Sequence, residues 1–454
     1  MGNGIAGANL SDIGLKRSLR LWDLILYGVI VIQPTAPMPL FGVLSNRAHG
    51  HAVTAILLAM IAMLFTAISY GRMARAYPSA GSAFTYVGQE INPALGYVTG
   101  WSMAMDYMLN PVICIIWCSK AAMNFAPGSH YWIWVVFFFA LFTGLNLRGI
   151  KTSARVNEGL AAGMSIVIGI FFVAAARYIW GSSHDGPVFF FRPFYDPQTF
   201  RLGPVLGGTS LAVLTYIGFD GISTLSEEVE NPRRNVLLAT VLTCLVIGIL
   251  SAMEVYVAQL VWPISQPFPD VDTAFVHVAG RVAGSWFFLT MNLTLLVASV
   301  GSGMGAQLGA ARLLYGMGRS NALPRSFFGA IDRNRRIPRN NVIFVGLVAV
   351  AGAFLLSYGL AAEMLNFGAL LAFMGVNAAA FVRYYMRSSE KRLANLVLPI
   401  SGLTICLLLW LNLSQAAIRA GVIWMIVGIA FGAWKTRGFR TGLINFEVPS
   451  ETES

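Results

Sequence analysis

The chain has 454 residues, of which 56% are hydrophobic and only 11% are charged, and its mean hydropathy is +0.66. Soluble proteins carry about 25% charged residues, so this composition excludes an ordinary soluble protein and indicates one that lies in a membrane. The net charge of +11 would suggest a nucleic-acid partner in a soluble protein, but its distribution along this chain is better explained by orientation in a membrane.

The hydropathy pattern predicts an all-α integral membrane protein with about twelve transmembrane helices. The predicted spans cover residues 21–45, 52–74, 93–124, 131–147, 156–180, 203–229, 235–262, 284–315, 340–358, 361–383, 394–413 and 416–434. No short cleavable apolar segment precedes the first span, so we expect that span to be retained rather than removed as a signal peptide. Twelve spans place both termini on one side. Most of the 31 Lys and Arg residues fall in segments of that side, which predicts cytoplasmic termini.

Two of these spans are interrupted, and they occupy matching places in the two halves of the chain. The first is interrupted by Gln33-Pro34-Thr35-Ala36-Pro37-Met38-Pro39, and the second by Tyr216-Ile217-Gly218-Phe219-Asp220-Gly221. A broken helix is tolerated in a bilayer only where protein or a water-filled cavity satisfies the freed backbone groups. A matched pair of such spans points to the substrate site of a secondary transporter.

The order of the spans predicts a five-plus-five inverted repeat. The first repeat takes residues 21–180 and the second takes residues 203–383. Because five is an odd number, the second repeat enters the membrane from the opposite face, so the two breaks should meet near the midplane. Residues 394–434 form two additional C-terminal helices, and residues 1–20 and 435–454 form cytoplasmic tails.

The predicted substrate site consists first of the backbone at the two breaks. Freed carbonyl groups and helix C-termini attract cations, whereas freed amides attract anions. Three prolines remove amide donors from the first break, which disfavours a substrate carboxylate there and favours an ammonium group. An ordinary proline kink repaired by neighbouring helices is the alternative. The expected substrate-binding positions are Gln33, Pro34, Thr35, Ala36, Tyr216, Ile217 and Gly218.

Acidic residues inside the spans are candidates for the charge of the site. Asp106 lies near the middle of span 3. It is interpreted as an ammonium ligand or as the carrier of a coupling proton. The alternative is a structural hydrogen bond to a nearby hydroxyl group or backbone amide. Asp220 lies within the second break and is interpreted either as a substrate ligand or as the N-cap of the inner half-helix. Tyr107 and Phe219 offer aromatic faces to an ammonium group, with ordinary helix packing as the alternative.

A second group of residues is expected to act in coupling or gating. Glu254 lies near the middle of span 7 and has no obvious partner in the sequence. Glu227 and Glu228 end the inner half of span 6. This position favours a role in a cytoplasmic gate or exit path, and a structural ion-pair cluster is the alternative. The coupling ion is left open. A proton is favoured over sodium. A sodium ion, if used, would bind between the first break and the hydroxyl groups of Ser299 and Ser302.

The remaining features indicate packing and orientation rather than chemistry. Residues 78–92 are predicted to be amphipathic, and the arginine-rich residues 316–339 indicate orientation and contact with lipid headgroups. All four cysteines fall inside spans and are interpreted as packing residues. The sequence offers no metal-ligand cluster and no pairing of a nucleophile with a base. We therefore expect no enzyme, no cofactor, no nucleic acid and no obligate protein partner.

Five stretches of the chain carry a resemblance to a known group of proteins. They are FTAISYGRMARAYPSAGSAFTYV at 65–87, GWSMAMDY at 100–107, YIGFDGISTLSEE at 216–228, ARLLYGMGRSNALP at 311–324 and NFGALLAF at 366–373. Together they resemble the amino acid–polyamine–organocation transporters and, within them, the putrescine importers. The resemblance covers nearly the whole chain and implies an inverted repeat and ion-coupled uptake across the inner membrane. It also implies that Tyr107 and the Glu227-Glu228 pair matter for amine substrates.

Departures from this resemblance bear on the substrate and on coupling. Putrescine importers carry an aspartate shortly before a Phe-Gly pair in the first break, where this chain has Pro39 ahead of Phe41 and Gly42. Glu254 is an acid where the resemblance implies a small neutral residue. The chain lacks the glycine-serine-glycine turn that holds a substrate carboxylate in other members. It also has Met164 near the place where some proton-coupled members have a lysine in span 5.

The sequence thus predicts a permease that imports a small amine or amino acid by alternating access. The favoured substrate is a polyamine such as putrescine, and import is expected to be coupled to protons. The alternatives within the same class are a neutral or cationic amino-acid permease and an exchanger of amino acid for amine. The alternative from another class is a membrane sensor that binds its ligand without translocating it.

Overall fold

The computed structural model describes residues 19–77, 82–149, 154–184, 186–225, 229–319, 323–332, 335 and 337–439. Its α-helices are α1 Leu21–Ile32, α2 Phe41–Arg47, α3 Ala52–Ala76, α4 Ser82–Glu90, α5 Pro93–Phe125, α6 Tyr131–Leu147, α7 Ala154–Gly181, α8 Pro187–Phe191, α9 Leu202–Ala212, α10 Pro232–Val261, α11 Ala274–Ala283, α12 Ser285–Arg319, α13 Arg325–Phe328, α14 Arg339–Leu355, α15 Tyr358–Phe381, α16 Leu393–Leu411 and α17 Gln415–Lys435. Short 3₁₀ helices cover Val213–Tyr216 and Phe219–Leu225, and a π-helical turn covers Val382–Met386.

The prediction of an all-α membrane protein is confirmed. Within the described ranges, nine helical segments are long and apolar enough to cross a membrane, and four shorter apolar helices accompany them. The number of twelve spans stays a prediction, because α1, α6 and α14 fall short of the roughly 20 residues that a complete crossing needs. The 12 residues of α1 rise only about 18 Å, which is the length of a half-helix. The division into two repeats also stays a prediction.

Close contacts between helices form where one of them carries glycine. A Cβ atom on Gly368 of α15 would lie 2.3 Å from the carbonyl oxygen of Ser102 on α5, so only glycine allows these two helices to approach so closely. On the other side of α5, the rings of Trp101 and Trp424 stack 4.8 Å apart. Each indole N–H of this pair donates to the backbone carbonyl of the other residue, at 2.9 and 3.0 Å. These bonds fix α17 against α5.

A short helix that the sequence did not predict covers the outer end of the bundle, where we call outer the side with few basic residues. Residues 263–283 lie between two predicted spans, and they contain α11. The ring of Phe275 packs 5.7 Å from Phe41 of α2 and 4.8 Å from Phe171 of α7. A Cβ on Gly42 would lie 2.1 Å from the carbonyl oxygen of Val271. Ten residues are too few for a span, so the hydropathy pattern did not identify α11, which packs on the outer half of the first broken span.

An ion pair fixes the loop ahead of α11 to the outer half of α5. Lys120 Nζ lies 3.5 Å from a carboxylate oxygen of Asp270 and 3.9 Å from one of Asp272. Burial and the charge of Asp270 raise the pKa of Asp272, while Lys120 acts in the opposite direction. We call α11 and the loop ahead of it, residues 263–283, the outer cover. It is held in place by ion pairs as well as by aromatic packing.

The inner ends of the two broken spans are joined by backbone pairing. Leu19 and Val229 form an isolated parallel β-bridge, and the N–H of Glu230 donates to the carbonyl of Leu19 at 2.8 Å. Arg20 and Glu230 reinforce the junction with an ion pair at 3.9 Å. The segment predicted to be amphipathic, residues 78–92, contains the helix α4, and residues 78–81 lie outside the described part of the chain.

Candidate substrate site

The first break is an interruption of backbone pairing at the end of α1. Gln33 has φ +72°, and its N–H donates to Val29 at 2.9 Å. Pro34 has no N–H for the carbonyl of Ile30. The N–H of Ala36 donates to Gln33, at 3.2 Å, and not to Ile32 as it would in a continuous helix. The carbonyl end of α1 thus loses helical partners, and it carries the partial negative charge that attracts a cation.

The side chain of Gln33 fixes this break to α12. Its Nε2 donates to the carbonyl of Ala298 at 3.0 Å, next to the buried Ser299. Ser302 lies one turn further along α12, and its hydroxyl group interacts with the Cys114 thiol on α5, which itself donates to Asn110 Oδ1 at 3.5 Å. Of the two serines predicted for a sodium site, Ser299 is therefore beside the first break, whereas Ser302 is engaged with α5.

The second break depends on a glycine and an aspartate. Gly218 has φ +122°, a conformation that side-chain-bearing residues rarely adopt, and it separates the two 3₁₀ helices. The N–H of Gly218 donates to Asp220 Oδ1 at 3.2 Å, and the amides of Asp220 and Gly221 also bond to this carboxylate. Asp220 lies inside the second 3₁₀ helix and binds the amides of the break itself, so its position differs from that of an N-cap.

The two breaks lie side by side, as the sequence predicts. A Cβ atom on Gly218 would be 3.2 Å from side-chain carbons of both Val31 and Ile32 at the end of α1. The freed carbonyl end of α1 thus faces the turn that holds Asp220. Open space adjoins this turn, because a Cβ added at Gly221 would meet no atom within 4 Å.

Asp106 on α5 faces the same place. Its carboxyl group interacts electrostatically with that of Asp220, and Tyr107 interacts with both acids and with Tyr27 of α1. The ring of Tyr107 lies against α12, 3.3 Å from the Cβ position of Gly309. In the described part of the chain neither aspartate forms an ion pair with a basic residue. The site therefore combines two acidic side chains, a carbonyl-rich helix end and an aromatic ring.

Two of the predicted site residues are turned toward packing contacts. The buried Tyr216 donates its hydroxyl hydrogen to the carbonyl of Ile56 on α3 at 2.8 Å. The buried Phe219 ring lies 5.5 Å from Tyr70 and 5.4 Å from Phe373. These contacts hold the second break against α3 and α15, and whether either residue also touches substrate stays a prediction.

The residues predicted for coupling or gating fall in different places. Glu254 lies on α10, fully buried and without electrostatic contact with Asp106 or Asp220. Glu227 and Glu228 lie outside the described residues. Tyr27 was missed by the sequence analysis. It occupies an ordinary position in an apolar helix and gave no signal, and only the folded structure brings it toward Tyr107.

The amino acid permease family matches residues 38–438, which is most of the chain. The chain belongs to this family. It is 33% identical over 444 residues to the low-affinity putrescine importer PlaP of Escherichia coli (strain K12), covering 97% of this chain and 98% of that relative. It is 25% identical over 452 residues to the branched-chain amino acid permease BcaP of Bacillus subtilis (strain 168), with 94% of each chain covered. It is also 26% identical over 395 residues to the vacuolar cationic amino acid transporter 4 of Arabidopsis thaliana, covering 82% of this chain and 64% of that relative.

Membership of this family fixes the broad function. The matched relatives are transporters and permeases, so the protein is a multi-pass membrane transporter of amino acids or amines and not an enzyme. The resemblance to the amino acid–polyamine–organocation transporters is thereby confirmed over nearly the whole chain.

Proposed function

We propose that this permease imports a small cationic amine, of the putrescine class, by proton-coupled alternating access across a bacterial inner membrane. The observation that carries the proposal is the pair of acids, Asp106 and Asp220, at the junction of the two breaks without a basic partner among the described residues. Such a site is negative before substrate arrives, and a cation gains both charge pairing and the carbonyl end of α1. The 33% identity to a relative named as a putrescine importer supports the same substrate class.

The amide groups of the breaks favour an amine over an amino acid. A substrate carboxylate would need free N–H donors at the site. Pro34, Pro37 and Pro39 remove three of them from the first break. In the second break, the amide of Gly218 already donates to the carboxylate of Asp220. The protein thus fills with its own aspartate the place where an amino acid would put its carboxylate.

In the proposed complex, the ammonium group of the substrate lies between Asp106, Asp220 and the carbonyl end of α1. The ring of Tyr107 contributes its face, which is worth about 1–2 kcal/mol for a desolvated cation. A diamine would instead place one ammonium group on each of these two carboxylates. Binding of this kind neutralises the site, so that its walls can close around the substrate without leaving an unpaired buried charge.

Alternating access would require the outer cover to move. In this structure Phe275 of α11 packs against Phe41 and Phe171 on the outer side. We propose that these contacts, together with the pairs that Lys120 makes, break in the outward-open state. By the positive-inside rule, the basic ends of the helices and both termini would face the cytoplasm.

Uptake of radiolabelled putrescine into proteoliposomes that contain the purified full-length protein tests the proposal. We expect saturable uptake that an inward proton gradient stimulates and that an inward sodium gradient leaves unchanged. Stimulation by sodium alone would overturn proton coupling and point to Ser299 as an ion ligand. Absence of uptake, with an active control transporter in parallel vesicles, would overturn the amine assignment.

The second candidate is a permease or exchanger for neutral or cationic amino acids. The names of the relatives from Bacillus subtilis and Arabidopsis thaliana favour it. Competition by unlabelled leucine, lysine and arginine against putrescine in the same vesicles separates the two candidates, because an amine site should ignore leucine. A membrane sensor would bind substrate in solubilised form but accumulate none inside vesicles.

A further inference from the structure

Glu254 is a buried acid that the proposed substrate site does not use. It lies on α10, with its side chain 0% exposed, about 10 Å from the end of the helix at Val261. Neither of its carboxylate oxygens has a hydrogen-bond partner within the described ranges. Ser251 lies one turn earlier on the same helix, and its buried hydroxyl group is also unpartnered.

Among the described residues, no charged group offsets the burial of this carboxyl group. α10 packs against α1, α3, α7 and α11. Titratable groups on these helices include Tyr27, Glu158 and His277, yet no charged or titratable side chain of the described residues acts on Glu254 electrostatically. A carboxylate without a partner in such surroundings costs several kcal/mol, so the group is far more stable with a proton bound.

A purely structural role does not explain an acid at this position. An acid that stabilises a helix bundle does so through a hydrogen bond or an ion pair, and Glu254 makes neither with the described residues. An apolar side chain of similar volume would be at least as stable there. Acids inside membrane spans that lack a structural partner are typical of proton pathways.

The position of Glu254 connects it to the substrate site mechanically rather than by charge. α10 packs directly on α1 and on the 3₁₀ helix Phe219–Leu225, the two elements that form the breaks. Glu254 nevertheless has no electrostatic interaction with Asp106 or Asp220. A movement of the breaks would therefore change the surroundings of Glu254 while a substrate cation occupies the other two acids.

We propose that Glu254 is the proton-binding site that couples proton movement to substrate transport, an inference that rests on the proposed function. Its carboxylate takes one proton from the outer side when α10 meets water and holds that proton while buried, as in this structure. It releases the same proton to the inner side when the helices rearrange. Glu254 thereby replaces the span-5 lysine that this chain lacks.

The bound proton is tested first, by infrared spectroscopy of the purified full-length protein at about pH 7, where ordinary glutamates are ionised. The wild type should show the absorption of a protonated carboxyl group that Glu254→Gln lacks. The control Glu158→Gln, which removes an exposed acid of α7, should leave this absorption unchanged. Identical carboxyl absorption in the wild type and in Glu254→Gln would show that Glu254 is ionised and would overturn the proposal.

Coupling is tested second, in proteoliposomes with the substrate that the wild type carries. In Glu254→Gln we expect the rate of proton-driven net uptake to fall by about tenfold or more. The rate of exchange of internal for external substrate should stay within about twofold of the wild type. Glu254→Asp, which keeps a carboxyl group, should recover part of the net uptake. Proton-driven uptake at the wild-type rate in Glu254→Gln would overturn the proposal. Failure of the wild type to carry any amine would count against the proposed function alone, because the infrared result decides the proton on Glu254 independently.

Discussion

Acidic residues at the two ends of this molecule differ from those at its centre in their partners. At the inner end, the buried Glu90 accepts hydrogen bonds from Tyr77, Arg383 and Arg387. At the outer end, Glu363 lies 3.3 Å from Arg47 and accepts the N–H of Ser414 at 3.0 Å. Each of these carboxylates is matched by a cation that the protein itself supplies.

The central acids have no such cation in the described part of the chain. Asp106 and Asp220 interact electrostatically beside the breaks, and Glu254 is buried without a partner among the described residues. An unpaired buried acid destabilises a folded protein. Where the acid is paired, removal of its partner lowers the stability of the protein by several kcal/mol. The end acids therefore join helices through ion pairs, whereas in the proposed mechanism the central acids bind the substrate cation and the coupling proton.

The largest effect is expected at Asp106. Asp106→Asn removes one of the two charges that would hold the substrate cation, so uptake should fall by about two orders of magnitude. Membrane insertion and thermal stability should be unchanged or slightly improved, because an unpaired acid has been neutralised. Uptake in proteoliposomes and thermal unfolding of the purified variant check both expectations. Uptake at the wild-type rate would remove Asp106 from the site.

Glu90→Gln should show the opposite pattern. It breaks two ion pairs at once, but the side chains of Arg383 and Arg387 are 37% and 57% exposed, so solvent screens part of the loss. We expect unfolding to become easier by about 2 kcal/mol, measured by thermal or denaturant unfolding in detergent.

The matched control for Glu90 is Glu390→Gln in the same basic region. Glu390 pairs with Arg392 at 2.7 Å, but both side chains are mostly exposed, at 66% and 73%. Surface pairs of this kind add little to stability, so the control should unfold like the wild type. Equal losses in the two variants would show that burial of Glu90 is not what makes its pairs matter.

A smaller loss is expected at the outer end. In Glu363→Gln the side chain keeps an oxygen for the N–H of Ser414, but it loses the charge that faces Arg47. Because Arg47 is 39% exposed, the expected loss is about 1 kcal/mol in unfolding free energy. Thermal unfolding of this variant beside Arg47→Gln and the double variant measures the coupling of the pair. A coupling free energy of zero between Arg47 and Glu363 would show that this ion pair does not stabilise the fold.

The smallest effect is expected at Tyr216. Tyr216→Phe removes the hydroxyl group that bonds to Ile56 and should cost about 1 kcal/mol of stability or less. If this tyrosine only holds the second break against α3, the Michaelis constant for uptake should stay at the wild-type value. A clear rise in that constant with unchanged stability would make Tyr216 a substrate contact, as the sequence predicts.

Much of the architecture was predictable because it depends on local sequence. Apolar runs fix where helices cross a membrane, and prolines or glycines at Pro34 and Gly218 fix where two of them break, whatever the rest of the chain does. The acids were also visible, since Asp106 and Glu254 stand out in apolar surroundings. α11 could not be found this way, because its ten residues, although mostly apolar, are too few for a membrane span.

By itself, the sequence determined the membrane class, the positions of the long apolar helices, the two breaks and the set of acids that could carry charge. Only the tertiary structure decided which of those acids have partners. Glu90 meets Arg383 across 293 positions of the chain, while Glu254 meets no partner among the described residues. The physical reason is that hydropathy and backbone breaks act over a few neighbouring residues, whereas charge pairing in a membrane depends on which helices pack together.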